Sequence, residues 1–153
     1  MAKADPLSAT EEEFWRALMR IVLSLPRQLD RDLMRAAGLT ANEYTTMMCL
    51  SEVAGRELRM ADLANAAALS ASRMTRLVDD LQSRGLVTKR ASADDGRGNV
   101  AKLTRAGMAK LKAAWPAHLT SVRSRVFDHV DQATVKKAAH ALSEIAARLE
   151  DGR

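Results

Sequence analysis

Between Leu86 and Thr104 the chain changes its period. Two short runs, Leu86–Ser92 and Asn99–Thr104, read as strands around the polar loop 93–98, which carries glycines where a tight turn needs them. On both sides of this hairpin the apolar residues recur at helical spacing instead. The chain is therefore expected to be mainly α with a single small β-hairpin, in the order four helices, hairpin, two helices.

The helices can be placed from their stripes and stops. Thr10 and Glu13 have capping-box spacing, and behind them Phe14, Leu18, Ile21, Val22, Leu25, Leu29 and Leu33 form one long apolar stripe that Gly38 ends. Pro26 lies inside this helix and is expected to kink it. Thr40 and Glu43 repeat the box and open a second helix to about Val53, and a short third helix covers Met60 to Ala67. A fourth, capped by Ser70 or Ser72, runs to Gly85 with Met74, Leu77, Val78 and Leu81 on one face. After the hairpin, Thr104 caps a helix striped by Met108, Leu111, Trp115, Leu119, Val122 and Val126, which Pro116 is expected to bend. Asp131 caps the last, with Val135, Ala139, Leu142, Ile145 and Leu149 on one side.

Composition narrows the class. Cys49 is the single cysteine, so no internal disulfide framework exists and a reducing, cytoplasmic setting is expected. Neither a signal-peptide pattern nor an apolar run of about 18 residues occurs, so no membrane association is expected. Charge is uneven. From Arg56 to Arg105 ten basic residues face six acidic ones, which places a surplus of four of the net +5 in one third of the chain. A localised basic surface suits a polyphosphate partner.

The fourth helix has two unlike faces. Opposite its apolar side lie Ser72, Thr75, Arg76 and Asp79, with Arg73 on the flank. Small hydroxyls permit close approach to DNA, a helix N-terminus favours phosphate, and arginine offers paired donors to guanine or phosphate. The hairpin adds Lys89, Arg90 and, at its tip, Arg97, placed to enter a minor groove.

Here a resemblance becomes specific. Leu58-Arg59-Met60-Ala61-Asp62-Leu63-Ala64, Leu69 to Leu81 and Arg84-Gly85-Leu86-Val87 resemble the winged helix-turn-helix of the MarR family. Asp95-Gly96-Arg97-Gly98 is similar to that family's wing, and Leu103-Thr104-Arg105-Ala106-Gly107 to its strand-to-helix junction. The resemblance implies an arm and dimerisation helix over 1–38, a DNA-binding lobe over 39–104 and C-terminal dimerisation helices over 105–153. It implies a homodimer on palindromic double-stranded DNA, usually a repressor released by a small ligand. Its recognition contacts fall on Ser70, Ser72, Arg73, Thr75 and Arg76, its wing arginine on Arg97 and a basic strand position on Arg90. Relatives bind aromatic acids in a crevice beside the DNA-binding lobe, and Trp15, Arg16, Tyr44 and Met48 are the candidates for its wall.

Structural roles compete for several of these residues. Arg73 or Arg76 can pair with Asp79 or Asp80 along the helix, for only ~0.2–0.5 kcal/mol. Asp95 and Arg97 can pair to hold the wing together, and Trp15 can serve the dimer interface rather than a ligand wall. Arg84 and Arg105 read as solvated or phosphate-adjacent. Cys49 follows Met47 and Met48 and reads as a small buried apolar residue. An oxidant-sensing role for it is the sharper alternative, although the oxidant-sensing relatives place their cysteine near the chain start. His118 reads as a core or interface residue, and His129 and His140 are isolated, so no metal is expected. With no phosphate loop, nucleophile elbow or oriented base, neither enzyme activity nor a cofactor is expected. The rival to DNA binding is a winged-helix module that binds protein instead.

Overall fold

A computed structural model describes residues 5–91 and 98–151. In chain order the described elements are α1 (Ala9–Ala37), α2 (Ala41–Glu52), β1 (Glu57–Arg59), α3 (Met60–Ala66), α4 (Ala71–Ser83), β2 (Val87–Ala91), β3 (Asn99–Leu103), α5 (Arg105–Arg125) and α6 (Gln132–Asp151). The chain is mainly helical with a small antiparallel sheet, as its periodicity predicts. It forms two compact units, one up to His118 and one from Leu119 onward.

Side-chain caps set most helix starts. Ser8, not Thr10, opens α1. Its hydroxyl accepts from the Glu11 N–H at 3.3 Å, and the Glu11 carboxylate accepts from the Ser8 N–H at 2.8 Å. Thr10 and Glu13 have the same spacing, so spacing alone does not choose between the pairs. The earlier one wins by adding backbone hydrogen bonds to the helix. At α2 the expected box forms, with Thr40 N–H on Glu43 Oε2 at 2.7 Å and Glu43 N–H on Thr40 Oγ1 at 3.2 Å. Thr104 caps α5 through the Gly107 N–H at 2.9 Å, and Asp131 caps α6 through the N–H groups of Ala133 and Thr134. Gly38 ends α1 with φ +59°, a left-handed conformation that glycine adopts without penalty. Both α1 and α5 continue through their prolines, Pro26 and Pro116.

The sheet holds one strand more than the expected hairpin. Its order is β1-β3-β2, antiparallel throughout, with Glu57 opposite Lys102 and Val87 opposite Leu103. Three residues are too few to show alternation, so β1 leaves no periodic signal in the sequence.

In the first unit one core joins Leu33 of α1, Met47 and Leu50 of α2, Leu63 of α3, the α4 face, Val87, Ala101, Leu103 and Leu111. Met74, Val78 and Leu81 are fully buried and Leu77 partly so, as their spacing predicts. Each such side chain contributes about 1.5–3 kcal/mol by leaving water. The α1 stripe behaves differently along its length. Leu33 is buried, whereas Phe14, Ile21 and Val22 are each more than half exposed. In the second unit Leu142, Ile145 and Leu149 of α6 are also exposed. Among the described residues no helix is long and apolar enough to cross a membrane.

Candidate nucleic-acid interface

α3 and α4 meet across a tight turn, 67–69, closed by bonds from Ala67 N–H to Leu63 O (3.0 Å) and from Leu69 N–H to Ala64 O (2.9 Å). Ala68 takes φ +52° there, an unusual conformation for a residue with a Cβ. Ser70 then caps α4, its hydroxyl 3.4 Å from the Arg73 nitrogen and 3.4 Å from Ser72 Oγ. Since Met74, Val78 and Leu81 hold the helix to the core, the opposite face must point outward. Ser70, Ser72, Arg73, Thr75 and Arg76 all lie exposed on that side. The Thr75 hydroxyl donates to Ala71 O at 3.0 Å, which leaves its lone pairs outward.

Ion pairing sorts the basic residues of the lobe. Asp79 is engaged by Lys89 of β2, and Asp80 by Arg84 at 3.2 Å. The pairs expected along α4 therefore do not form. Among the described residues no acidic partner falls to Arg73 or Arg76. Both line a groove of about 620 Å³ beside α4, together with Ser70, Asp30, Asn42 and Asp80. Arg90 is held differently, because its guanidinium bonds Glu57 of β1 at 2.6 Å, with Lys102 3.8 Å from the same carboxylate. Glu57 gives no signal in the sequence, since its strand is too short to be seen there. Arg97 and Asp95 lie outside the described residues.

Arg84 is exposed, yet its guanidinium is tied inward. It bonds Glu43 at 2.6 Å and the Gly38 carbonyl at 3.0 Å, partners that sequence spacing could not supply across 41 residues. Gly107, in the junction motif, shows why that position lacks a side chain. A Cβ there would stand 2.1 Å from Leu86 O.

The four candidates for a ligand wall are not assembled alike. Trp15 lines an apolar recess of about 410 Å³ made with Leu7, Thr10, Glu11 and Phe14, all from the start of the chain. Arg16 bonds Glu12 one turn away at 3.0 Å. Met48 packs partly buried against the core. Tyr44 is buried, with its ring centroid 4.5 Å from that of His118, and His118 lies 6.1 Å from Trp115. Among the described residues neither the Tyr44 hydroxyl nor His118 Nδ1 has a hydrogen-bond partner. Burial, then the charge of Glu52, pushes the Tyr44 phenol up, while burial holds the His118 imidazole down. Both shifts favour the neutral form of the ring. Spacing marks His118 as a core or interface residue and Trp115 as part of a stripe, but nothing in it ties them to Tyr44.

Cys49 is half-buried, and burial followed by the charge of Glu52 raises its thiol pKa. That disfavours the thiolate, which is the form oxidants attack. Among the described residues no group of three His, Cys, Asp or Glu side chains is placed to hold a metal.

A helix-turn-helix of α3 and α4 backed by a three-stranded sheet with a β2–β3 hairpin is a winged helix-turn-helix. The family model for the MarR family matches residues 37–98. A MarR family transcriptional regulator of Streptomyces coelicolor solved in complex with DNA is 32% identical, with a TM-score of 0.88 over 95% of this chain and 91% of that one. AbsC, another MarR family regulator of that organism, is also 32% identical, with a TM-score of 0.87 over 98% and 100% of the two chains. BldR of Sulfolobus solfataricus, at 22% identity and a TM-score of 0.81 over 93% and 99%, shares the fold. No curated protein matches the sequence. The chain belongs to the MarR family of transcriptional regulators.

Proposed function

We propose that this protein is a cytoplasmic, homodimeric regulator that binds palindromic double-stranded DNA through α4 and represses transcription until a small ligand releases it. The observation that carries the reading is the outer face of α4. There Arg73 and Arg76 stand exposed, while the neighbouring acids Asp79 and Asp80 are engaged by Lys89 and Arg84. In this reading Ser70, Ser72, Arg73, Thr75 and Arg76 enter a major groove. Arg97 reaches the minor groove, and Arg90 reaches phosphate only by leaving Glu57. That a 32%-identical Streptomyces regulator was solved in complex with DNA supports DNA as the partner.

Dimerisation is supported by apolar surface, because half-exposed Phe14, Ile21 and Val22 on α1 and exposed Leu142 and Ile145 on α6 are costly to leave in water. A dimer sets the spacing of two recognition helices, which must match half-sites about one helical turn apart. A ligand preferring a mis-spaced dimer would weaken binding by linkage, with ~1–3 kcal/mol giving a 5- to 150-fold change.

For the ligand, the adjoining Tyr44 and His118 rings, whose hydroxyl and Nδ1 have no partner among the described residues, suit a flat aromatic molecule that carries both a donor and an acceptor. Such a molecule would satisfy two buried groups that are expensive to leave unpaired.

In vitro selection from random duplexes, repeated at two salt concentrations with Arg76→Ala and Arg97→Ala, tests the reading. A short palindrome enriched by the wild type and lost by the variants is expected. Diffuse binding, or none, would hand the fold to the protein-interaction module instead.

A further inference from the structure

Arg84 sits where three helices converge. One amino group of its guanidinium donates to Glu43 Oε1 at 2.6 Å and to Asp80 Oδ2 at 3.2 Å, and the other donates to the Gly38 carbonyl at 3.0 Å. Glu43 is only 7% exposed, and its second oxygen already accepts the Thr40 N–H that opens α2. Gly38 ends α1 in a fixed left-handed conformation. Asp30 of α1 accepts the Ala41 N–H at 2.9 Å, which ties α1 to the start of α2 a second time. The α1–α2 corner is therefore a rigid block. Arg84 is the C-terminal cap of α4, so the guanidinium joins that block to the end of the recognition helix.

Lever arithmetic makes the joint matter. α4 spans 13 residues, about 20 Å at 1.5 Å each. A tilt of about 5° at the Arg84 end would displace the Ser70 end by about 1.7 Å, more than the distance window of a hydrogen bond allows. A planar fork holds two directions in a fixed geometry, which an ammonium on a flexible stem does less firmly. The chemistry thus favours arginine over lysine at this position.

We propose that Arg84 is the positioning residue that passes the placement of the α1–α2 corner to α4, and that sequence discrimination depends on it although it touches no DNA. The proposal rests on the DNA-binding reading above. It also gives α2 two jobs on adjacent residues, with Glu43 holding α4 and Tyr44 stacking on His118.

The test uses the full chain, a duplex enriched by wild-type selection and a shuffled duplex of equal composition. Affinities of wild type, Arg84→Gln, Arg84→Lys and Glu43→Gln are measured against salt, well below each variant's melting temperature. Arg84→Gln and Glu43→Gln are expected to lose about tenfold on the enriched duplex and little on the shuffled one, within the range of residues coupled in one ion-pair network. Arg84→Lys is expected to recover part of the loss, and the double variant to fall no further than either single. The salt slope should stay at the wild-type value, because a side chain that neutralises one phosphate accounts for about 0.9 of it. A slope reduced by that amount would mean that Arg84 binds phosphate directly and would overturn the proposal. Equal losses on both duplexes, or none, would overturn it while the DNA-binding reading stands. If wild-type selection enriches nothing, both readings fall together. If Arg84→Gln does not fold, Arg84→Lys and Glu43→Gln carry the same comparison.

Discussion

Gly107 faces Leu86 so closely that a Cβ on the glycine would lie 2.1 Å from the Leu86 carbonyl oxygen and 2.7 Å from the Leu103 side chain. The first turn of α5 is pressed onto the chain entering β2, and Thr104 tightens the joint by donating toward the Gly85 and Leu86 carbonyls at 2.8 and 3.0 Å. Backbone meets backbone there, so no rotamer change relieves a clash. Gly107→Ala should therefore destabilise the protein by about 1–3 kcal/mol or more, as overpacked cores do. Gly98→Ala, with nothing within 4 Å among the described residues, is the control and should be near neutral. Urea unfolding of the two variants checks this, and equal midpoints would refute it.

The turn between α3 and α4 holds a second backbone cost. Ala68 sits at φ +52°, where a residue with a Cβ loses roughly 1–2 kcal/mol. Glycine removes that strain but has about 0.5–1 kcal/mol more freedom to lose on folding. Ala68→Gly should then raise stability by up to about 1 kcal/mol, and Ala68→Val should lower it. Thermal melts of both variants test the sign.

Acid should weaken the fold through His118. Burial holds its imidazole below the ordinary value of 6.5, while the unfolded chain regains that value. Between the two, the unfolded state binds more protons, so stability is fully present above pH 6.5 and is lost as pH falls through the folded value. His118→Phe keeps a ring beside Tyr44 and should flatten this part of the stability profile. Asp131 acts in the same direction at lower pH. Its hydrogen bonds from the Thr134 side chain and backbone hold its carboxyl below 3.8, and they weaken as it protonates. Urea midpoints between about pH 8 and pH 3 separate the two.

Glu57 should act as a brake on DNA binding. It engages Arg90 at 2.6 Å and lies 3.8 Å from Lys102, so both cations are partly neutralised before any phosphate arrives. Glu57→Gln should tighten binding roughly 1.5- to 5-fold at low salt, the worth of one exposed ion pair. The dependence on salt should steepen. An unchanged affinity together with an unchanged slope would show that Arg90 stays away from the DNA backbone.

Local chemistry makes much of this readable. The boxes and caps at Thr40, Ser70, Thr104 and Asp131 act within four residues of themselves, so spacing is enough to place them. Thr10 fails for the same reason turned round, since Ser8 and Glu11 carry an equally good local signal two residues earlier. The buried side of α4 follows from four apolar residues on one face, and its outer side follows as the complement. That places Ser72, Arg73, Thr75 and Arg76 without any structure.

Partners far apart in the chain are beyond such reasoning. Periodicity states which face of an element is buried but not what lies against it, because that depends on how separate elements are brought together. The sequence by itself determined a helical chain with one hairpin, an outward basic face on α4 and a recognisable set of family motifs. Only the tertiary structure decided that Arg84 holds Glu43, that Glu57 restrains Arg90, that Asp79 belongs to Lys89, and that Tyr44 stacks on His118. Ionic and aromatic contacts like these form at a few ångströms across gaps of tens of residues, and packing of the shared core creates that nearness.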